Sequence, residues 1–275
     1  LERSLCADTR KGVQNALAVA KRRLAAEQAE RERVSQLYSY QEQITNGAVT
    51  VGLDEVGRGP LAGPLTVGAV VLRRDAAPIE GLNDSKQVPE AHRPALAKTV
   101  KERALAWAIV NIEPSEIDEC GMTACLRKAF RQAVAEIEAQ GIVPEVILLD
   151  GNPLHLDSRE KNVVHGDALC ASISAASLIA KVSRDALMVS YDEDYPGYDF
   201  ASSKGYGSAR HRCGKGPNPY PSRIVLSELF AGIVVRLSGF FAFRSPPPTG
   251  LSYLSFFSSA GRKIAWTHCG RGFLR

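Results

Sequence analysis

The chain has six cysteines and no C-x-x-C pair, and only one histidine, His268, stands beside a cysteine. That pattern argues against a disulfide framework and against a zinc knuckle, and for reduced thiols in a cytoplasmic protein. An apolar secretory leader is also lacking at the start, which begins at Leu1. Acids nearly vanish after position 211, where Glu228 is the one acid against nine Lys and Arg. The net charge of +4 therefore comes from the tail, and the first 211 residues are net acidic. A basic total often signals a nucleic-acid partner, but this one sits outside the patterned part of the chain. Long apolar runs are scarce. The stretch 224–243 has the length of a membrane span, but Glu228 and Arg236 inside it make insertion costly. No membrane partner is expected.

The 275 residues and their ordinary hydrophobic and charged fractions are those of a globular protein with one large domain or two small ones. Residues 1–47 read as a charged helical extension. Val13, Leu17, Ala20 and Leu24 fall at helical spacing, and the nearly all-polar AEQAERER follows. A solvated helix docked at one end explains this better than a nucleic-acid arm. From Ala48 the pattern changes. AVTVGLDE and PLTVGAVVL read as two strands joined by VGRGPLAG. A helix over 89–103, a strand over 105–112, a helix start at Pro114, a helix over 121–140 and a short strand at 146–150 follow. The Ala/Ser-rich segment 168–190 reads as one helix, with residues small enough to lie close against a sheet. Strands first, then alternating helix and strand, predict an α/β fold: a mixed β-sheet flanked by helices.

Four acids occupy special positions: Asp54, Glu55, Asp150 and Asp167 each end an apolar run or open a helix. Ligands in open α/β sheets gather where strands end. Close carboxylates repel and raise one another's pKa, and a hard divalent ion such as Mg²⁺ or Mn²⁺ removes that conflict. Taken singly, each acid also has an ordinary explanation, as turn polarity or as a helix N-cap. Neighbours on a strand point to opposite faces, so Asp54 and Glu55 share a site only if the strand ends or bends between them. Gly57 and Gly59 supply backbone freedom just beyond. No histidine-rich pattern argues for zinc.

DEVGRGPLAGP (54–64), LNDSK (82–86), EPSEID (113–118), LLDGN (148–152), HGDALCASISAASLIAKVSRD (165–185) and KGYGSARH (204–211) occur in this order. In these motifs the chain resembles the ribonuclease HII family over about 49–211. The charged helix before them resembles an extension found in bacterial members. The resemblance implies a ribonuclease H-like catalytic domain over 48–211. It implies an endonuclease that hydrolyses RNA in RNA–DNA hybrids and cuts 5′ to single ribonucleotides embedded in duplex DNA, by a two-metal mechanism. By motif position it assigns Asp54, Glu55, Asp150 and Asp167 as catalytic, metal-binding acids. It assigns Gly57, Arg58 and Gly59 to the ribose and flanking phosphate, with Tyr206 packing on the sugar. Ser85 and Lys86 join them as substrate contacts, and Lys181 and Arg184 are further phosphate candidates. For Lys181, an ion pair with Asp185 one turn on is the competing explanation. The 2′-hydroxyl is the group that separates RNA from DNA, and an arginine fork suits phosphate.

G-R-G together with KGYG argues against ribonucleases HI and HIII and against junction resolvases. Two departures from the family pattern stand out. Ser203 replaces a histidine common before KGYG, and the composition of 212–275 reads as translation out of frame from near 211–213. A non-catalytic or inactive hybrid-binding product is therefore the alternative reading. A monomer is expected, and a sliding-clamp motif at the C-terminus is not legible.

Overall fold

The computed structural model describes residues 10–208 and two short segments, 255–257 and 263–265. It separates into two units, Leu1–Glu228 and Leu229–Arg275. In the first, helix α1 (Lys11–Thr45) stops at Asn46, which adopts the left-handed conformation. Its early turns are mostly exposed, and its second half docks through Val34 and Leu37. Polar ties complete the docking. Arg33 donates to the Leu82 carbonyl at 2.7 Å, and the Tyr38 hydroxyl accepts from Ile79 N at 3.1 Å. A helix docked at one end is what the chain forms, but the docked end is the second half; the Val13–Leu24 stripe is not buried, and Leu24 is 64% exposed.

The sheet contains β1 (Thr50–Val56), β2 (Leu65–Leu72), β3 (Ala104–Ile112), β4 (Val146–Asp150) and β5 (Glu160–Val163), in the order β3-β2-β1-β4-β5. β1 pairs antiparallel with β2 and parallel with β4; β4 and β5 are also parallel. The sheet is therefore mixed, as the sequence predicts. A 3₁₀ turn at Glu90–His92 leads into α2 (Arg93–Arg103), while α3 (Pro114–Cys120) and α4 (Met122–Ala139) follow β3. Residues Val51, Leu53, Val67, Ile147 and Leu149 bury one face of the sheet against α3 and α4. The stripe Met122, Leu126, Ala129, Phe130, Ala133 and Ile137 supplies the α4 side. Each large apolar side chain buried there contributes roughly 1.5–3 kcal/mol.

The opposite face is covered by α6 (Ala171–Asp194), whose small residues allow backbone-close packing. A side chain on Gly52 would collide with the backbone of Ser172, and one on Gly68 with the Ala176 carbonyl. α6 also ties α1 to the domain: Gln41 Oε1 accepts from both the backbone N and the hydroxyl of Ser172, each at 2.8 Å. The expected single helix over 168–190 is instead two. A short α5 (Gly166–Leu169) precedes α6, and Cys170 between them is extended (φ −117°, ψ 126°). The Ser174 hydroxyl donates to the carbonyls of Asp167 and Cys170, at 2.6 and 3.0 Å, and so satisfies groups that a continuous helix would pair internally. Asp167 is consequently in the first turn of α5 and not at the mouth of the long helix.

Strand β5 has no counterpart in the sequence reading. Its residues, Glu-Lys-Asn-Val, show no apolar alternation, and edge position suits polar residues. The Glu160 carboxylate accepts from the backbone of Leu154 and Leu156 at 2.8 and 2.6 Å, closing the loop before it. The last element among the unit's described residues is α7 (Phe200–Ser203). In the second unit, β6 (Ser255–Phe257) pairs antiparallel with β7 (Lys263–Ala265). The membrane-length run at 224–243 and the altered ending from 211–213 lie outside the described residues. No helix among the described residues is long and apolar enough to cross a membrane.

Candidate active site

Strand register brings two of the four acids together. Leu53 of β1 lies opposite Leu149 of β4, so the next residues, Asp54 and Asp150, are neighbours at the strand ends. Strand alternation sets both on the α6 side, since Leu53 and Leu149 belong to the α4 core. Asp150 Oδ1 accepts from Gly166 N at 2.7 Å, which holds the start of α5 against β4 and carries Asp167 into the same region. β1 continues to Val56, so alternation assigns Glu55 to the other side of the sheet. The tie between the adjacent acids is a hydrogen bond from Glu55 N to Asp54 Oδ1 at 2.8 Å.

The acids nevertheless sense one another. Asp54 is 7% exposed. Burial raises its pKa well above the usual carboxylate range, the Glu55 and Asp150 charges add to this, and a hydrogen bond from Ser177 opposes it. Burial pushes Glu55 up to about 7, with the Arg58 guanidinium pulling down and Asp150 pushing up. Asp167 is 8% exposed and is raised by burial and then by the charges of Asp150 and Asp84. Cations answer this cluster. Lys86 Nζ stands 3.7 Å from Asp167, and Arg58 stands 3.9 Å from Glu55. Burial works to lower the Lys86 pKa, but Asp84, Asp167, Asp54 and Asp150 together raise it.

Three residues depart from their sequence reading or were missed by it. Arg184, a candidate phosphate contact, is 0% exposed and donates to three backbone carbonyls, so it does not face a substrate. Ser85 is buried, and its hydroxyl shares a 3.0 Å hydrogen bond with Ser177. Ser177, which also bonds Asp54, was hidden among the alanines and serines of α6. Lys181 takes its ordinary role, paired with Asp185 at 2.6 Å.

The G-R-G loop is a shaped turn. Gly57 has φ +113°, and a side chain there would collide with the Pro64 carbonyl. A Cβ on Gly59 would lie 3.8 Å from the Tyr206 ring, so the G-R-G loop and KGYG face each other. Tyr206 itself is 50% exposed and available to a ligand.

Oxygen donors of this kind suit a hard divalent ion. Mutual repulsion and raised pKa values are what such an ion would relieve. Among the described residues, though, no three His, Cys, Asp or Glu side chains are gathered tightly enough to hold a metal as they stand.

A mixed sheet with acids at the ends of its central strands and helices on both faces is the ribonuclease H-like fold. Comparison with known proteins narrows it. The ribonuclease HII family model matches residues 51–214, and the ribonuclease HII N-terminal domain model matches 1–45. The chain belongs to the ribonuclease HII family, whose members are metal-dependent, and it is a ribonuclease H hydrolase. A crystal structure of ribonuclease H2 from Pyrococcus horikoshii OT3 is 27% identical, with a TM-score of 0.51, over 59% of this chain and 82% of that one. The ribonuclease HII in a PCNA complex from Archaeoglobus fulgidus shares the fold at 23% identity and a TM-score of 0.50, over 60% and 85% of the two chains.

Proposed function

We propose that this ribonuclease H cuts the RNA strand of RNA–DNA hybrids and incises 5′ to single ribonucleotides in duplex DNA, using Asp54, Glu55, Asp150 and Asp167 as its catalytic acids. The observation that supports this reading is the strand register that places Asp54 beside Asp150, with Asp167 carried toward them, next to the loop that faces Tyr206. Asp54 and Asp150 are the first donors to an ion, fixed by strand register and by the Ser177 and Gly166 hydrogen bonds. Glu55 and Asp167 would complete the set. A pair of divalent ions, Mg²⁺ or Mn²⁺, supplies an activated water and charge stabilisation for the leaving oxygen.

The remaining residues recognise the substrate. Gly57 and Gly59 expose backbone amides to the ribose, where the 2′-hydroxyl distinguishes RNA. Arg58 offers a fork of donors to phosphate, and Lys86 offers a compact charge next to Asp167. Ser85 acts from beneath through Ser177 and does not reach the sugar. Tyr206 packs its ring on the sugar at the RNA–DNA junction.

The test is a DNA duplex with one embedded ribonucleotide, incubated with Mg²⁺ or Mn²⁺. A cut on its 5′ side is expected, lost with chelator and in Asp54→Asn. A folded, ion-binding protein that leaves this duplex and an RNA–DNA hybrid intact refutes the assignment.

A further inference from the structure

Arg184 is a charged side chain with no exposure, placed in the middle of α6 and away from the acids' carboxylates. Burying a guanidinium is costly unless its donors are met, and here they are met by loops. Nε donates to the Pro64 carbonyl, Nη2 to the Ala62 carbonyl and Nη1 to the Lys204 carbonyl, each at 2.9 Å. The first two belong to the end of the G-R-G loop and the third to KGYG. One planar fork therefore spans both recognition segments from a rigid helix. The surroundings leave it little slack. Side chains on Gly57 or Gly63 would come within 2.8 Å of the guanidinium, and one on Gly205 would strike the Ala62 carbonyl. Leu61 N also donates to the Gly205 carbonyl at 2.9 Å, which joins the two loops directly.

We infer that Arg184 is a positioning residue that sets the spacing between the G-R-G turn and the Tyr206 ring, and through that spacing the selectivity for a ribonucleotide at a junction. The inference rests on the proposed function above and deepens it. Arg184 touches neither substrate nor ion; it fixes the gap into which the sugar fits. Lysine carries the same charge but lacks the planar fork, so it cannot hold three carbonyls in the same places.

Arg184→Lys and Gly205→Ala are compared with the intact chain, each alone and combined with Tyr206→Ala. The readouts are thermal melting, Mn²⁺ binding by calorimetry, and kcat and KM on the single-ribonucleotide duplex. Both variants are expected to bind Mn²⁺ as the parent does and to lose tenfold or more in kcat/KM. In the Tyr206→Ala background the further loss is expected to shrink to less than twofold, because the gap no longer has its second wall. Gly205→Ala moves one loop while leaving Arg184 in place, so it carries the test even if Arg184→Lys does not fold. Parental kcat/KM in the variants overturns the inference, as does a loss that multiplies undiminished with Tyr206→Ala. If the parent binds Mn²⁺ and cuts neither duplex, the underlying function fails and the inference with it; if the parent cuts and the variants match it, the inference alone fails.

Discussion

Removing divalent ions and raising the pH should destabilise this protein, and Glu55 should carry much of the effect. Its carboxyl titrates near 7 in the fold against 4.5 as an ordinary glutamate. Between those values the folded chain holds a proton that the unfolded chain has released. Stability linked to this group is therefore complete below about pH 4.5 and is lost as pH rises through 7. The interval of 2.5 units, at about 1.4 kcal/mol per unit, amounts to about 3.5 kcal/mol. Asp54, raised by burial and by Glu55 itself, acts in the same direction. For a domain of this size about 3.5 kcal/mol is a melting shift of about 7–14 °C.

The assay is urea or thermal unfolding from pH 5 to 8 with chelator present, for the parent and for Glu55→Gln. Titrating groups that do not sense Glu55 contribute to both curves and drop out of the difference; Asp54, which does, shifts with it in the same direction. The parent should be less stable than Glu55→Gln by a margin that grows with pH and levels off above 7. Saturating Mg²⁺ or Mn²⁺ at pH 8 should restore the parent selectively, by about 2.7 kcal/mol at a hundredfold excess over its dissociation constant. Parallel pH profiles for the two proteins, or no ion effect on the parent, would refute the reasoning.

Three other perturbations test different parts of the fold. Phe130→Ala empties a fully buried position of α4 and should cost about 3–5 kcal/mol in denaturant unfolding, with no change in the site of cleavage. Gly68→Ala forces a methyl against the Ala176 carbonyl; overpacking of this kind costs about 1–3 kcal/mol, and unfolding should report at least that. Tyr206→Ala should lower kcat/KM at a single ribonucleotide by about five- to 150-fold, the range that loss of ~1–3 kcal/mol of ring stacking implies, whereas Tyr206→Phe keeps the ring and should stay within a few-fold of the parent.

Much of this architecture is legible in the residues because burial and periodicity agree. The α4 stripe at Met122, Leu126, Phe130 and Ile137 is the core face observed, and the small residues of 171–176 do press against the sheet. What escaped are features decided by single hydrogen bonds. The Ser174 hydroxyl reaches the Asp167 carbonyl across the break at Cys170, and a serine in an Ala/Ser run carries no sign of which carbonyl it will choose. β5 is polar because it is an edge, and edges lack the alternation that marks a buried strand. Arg184 misled for the opposite reason: a cation near acids in sequence suggests phosphate, but pairing with buried carbonyls is not written in composition.

Strand geometry accounts for two adjacent acids followed by G-R-G. Adjacent strand residues face apart, so Asp54-Glu55 alone does not make a chelating pair. Parallel pairing of β1 with β4 gives Asp54 its neighbour Asp150, and Gly166 bonded to Asp150 brings Asp167. Glu55, which alternation assigns to the other face, stands 3.9 Å from Arg58 and still senses the Asp150 charge. It is thus the acid whose ionisation is tied most directly to the recognition loop. An ion that took Glu55 as a ligand would compete with the 3.9 Å Arg58 contact, and Arg58 would then be available to a phosphate. Arg58→Ala should accordingly leave ion affinity unchanged or tighter, since the competing cation is gone, while weakening substrate binding in a salt-dependent way. Calorimetry with Mn²⁺ and duplex titrations at two salt concentrations separate these effects; weaker ion binding in Arg58→Ala would show that the two functions of this turn are not in competition.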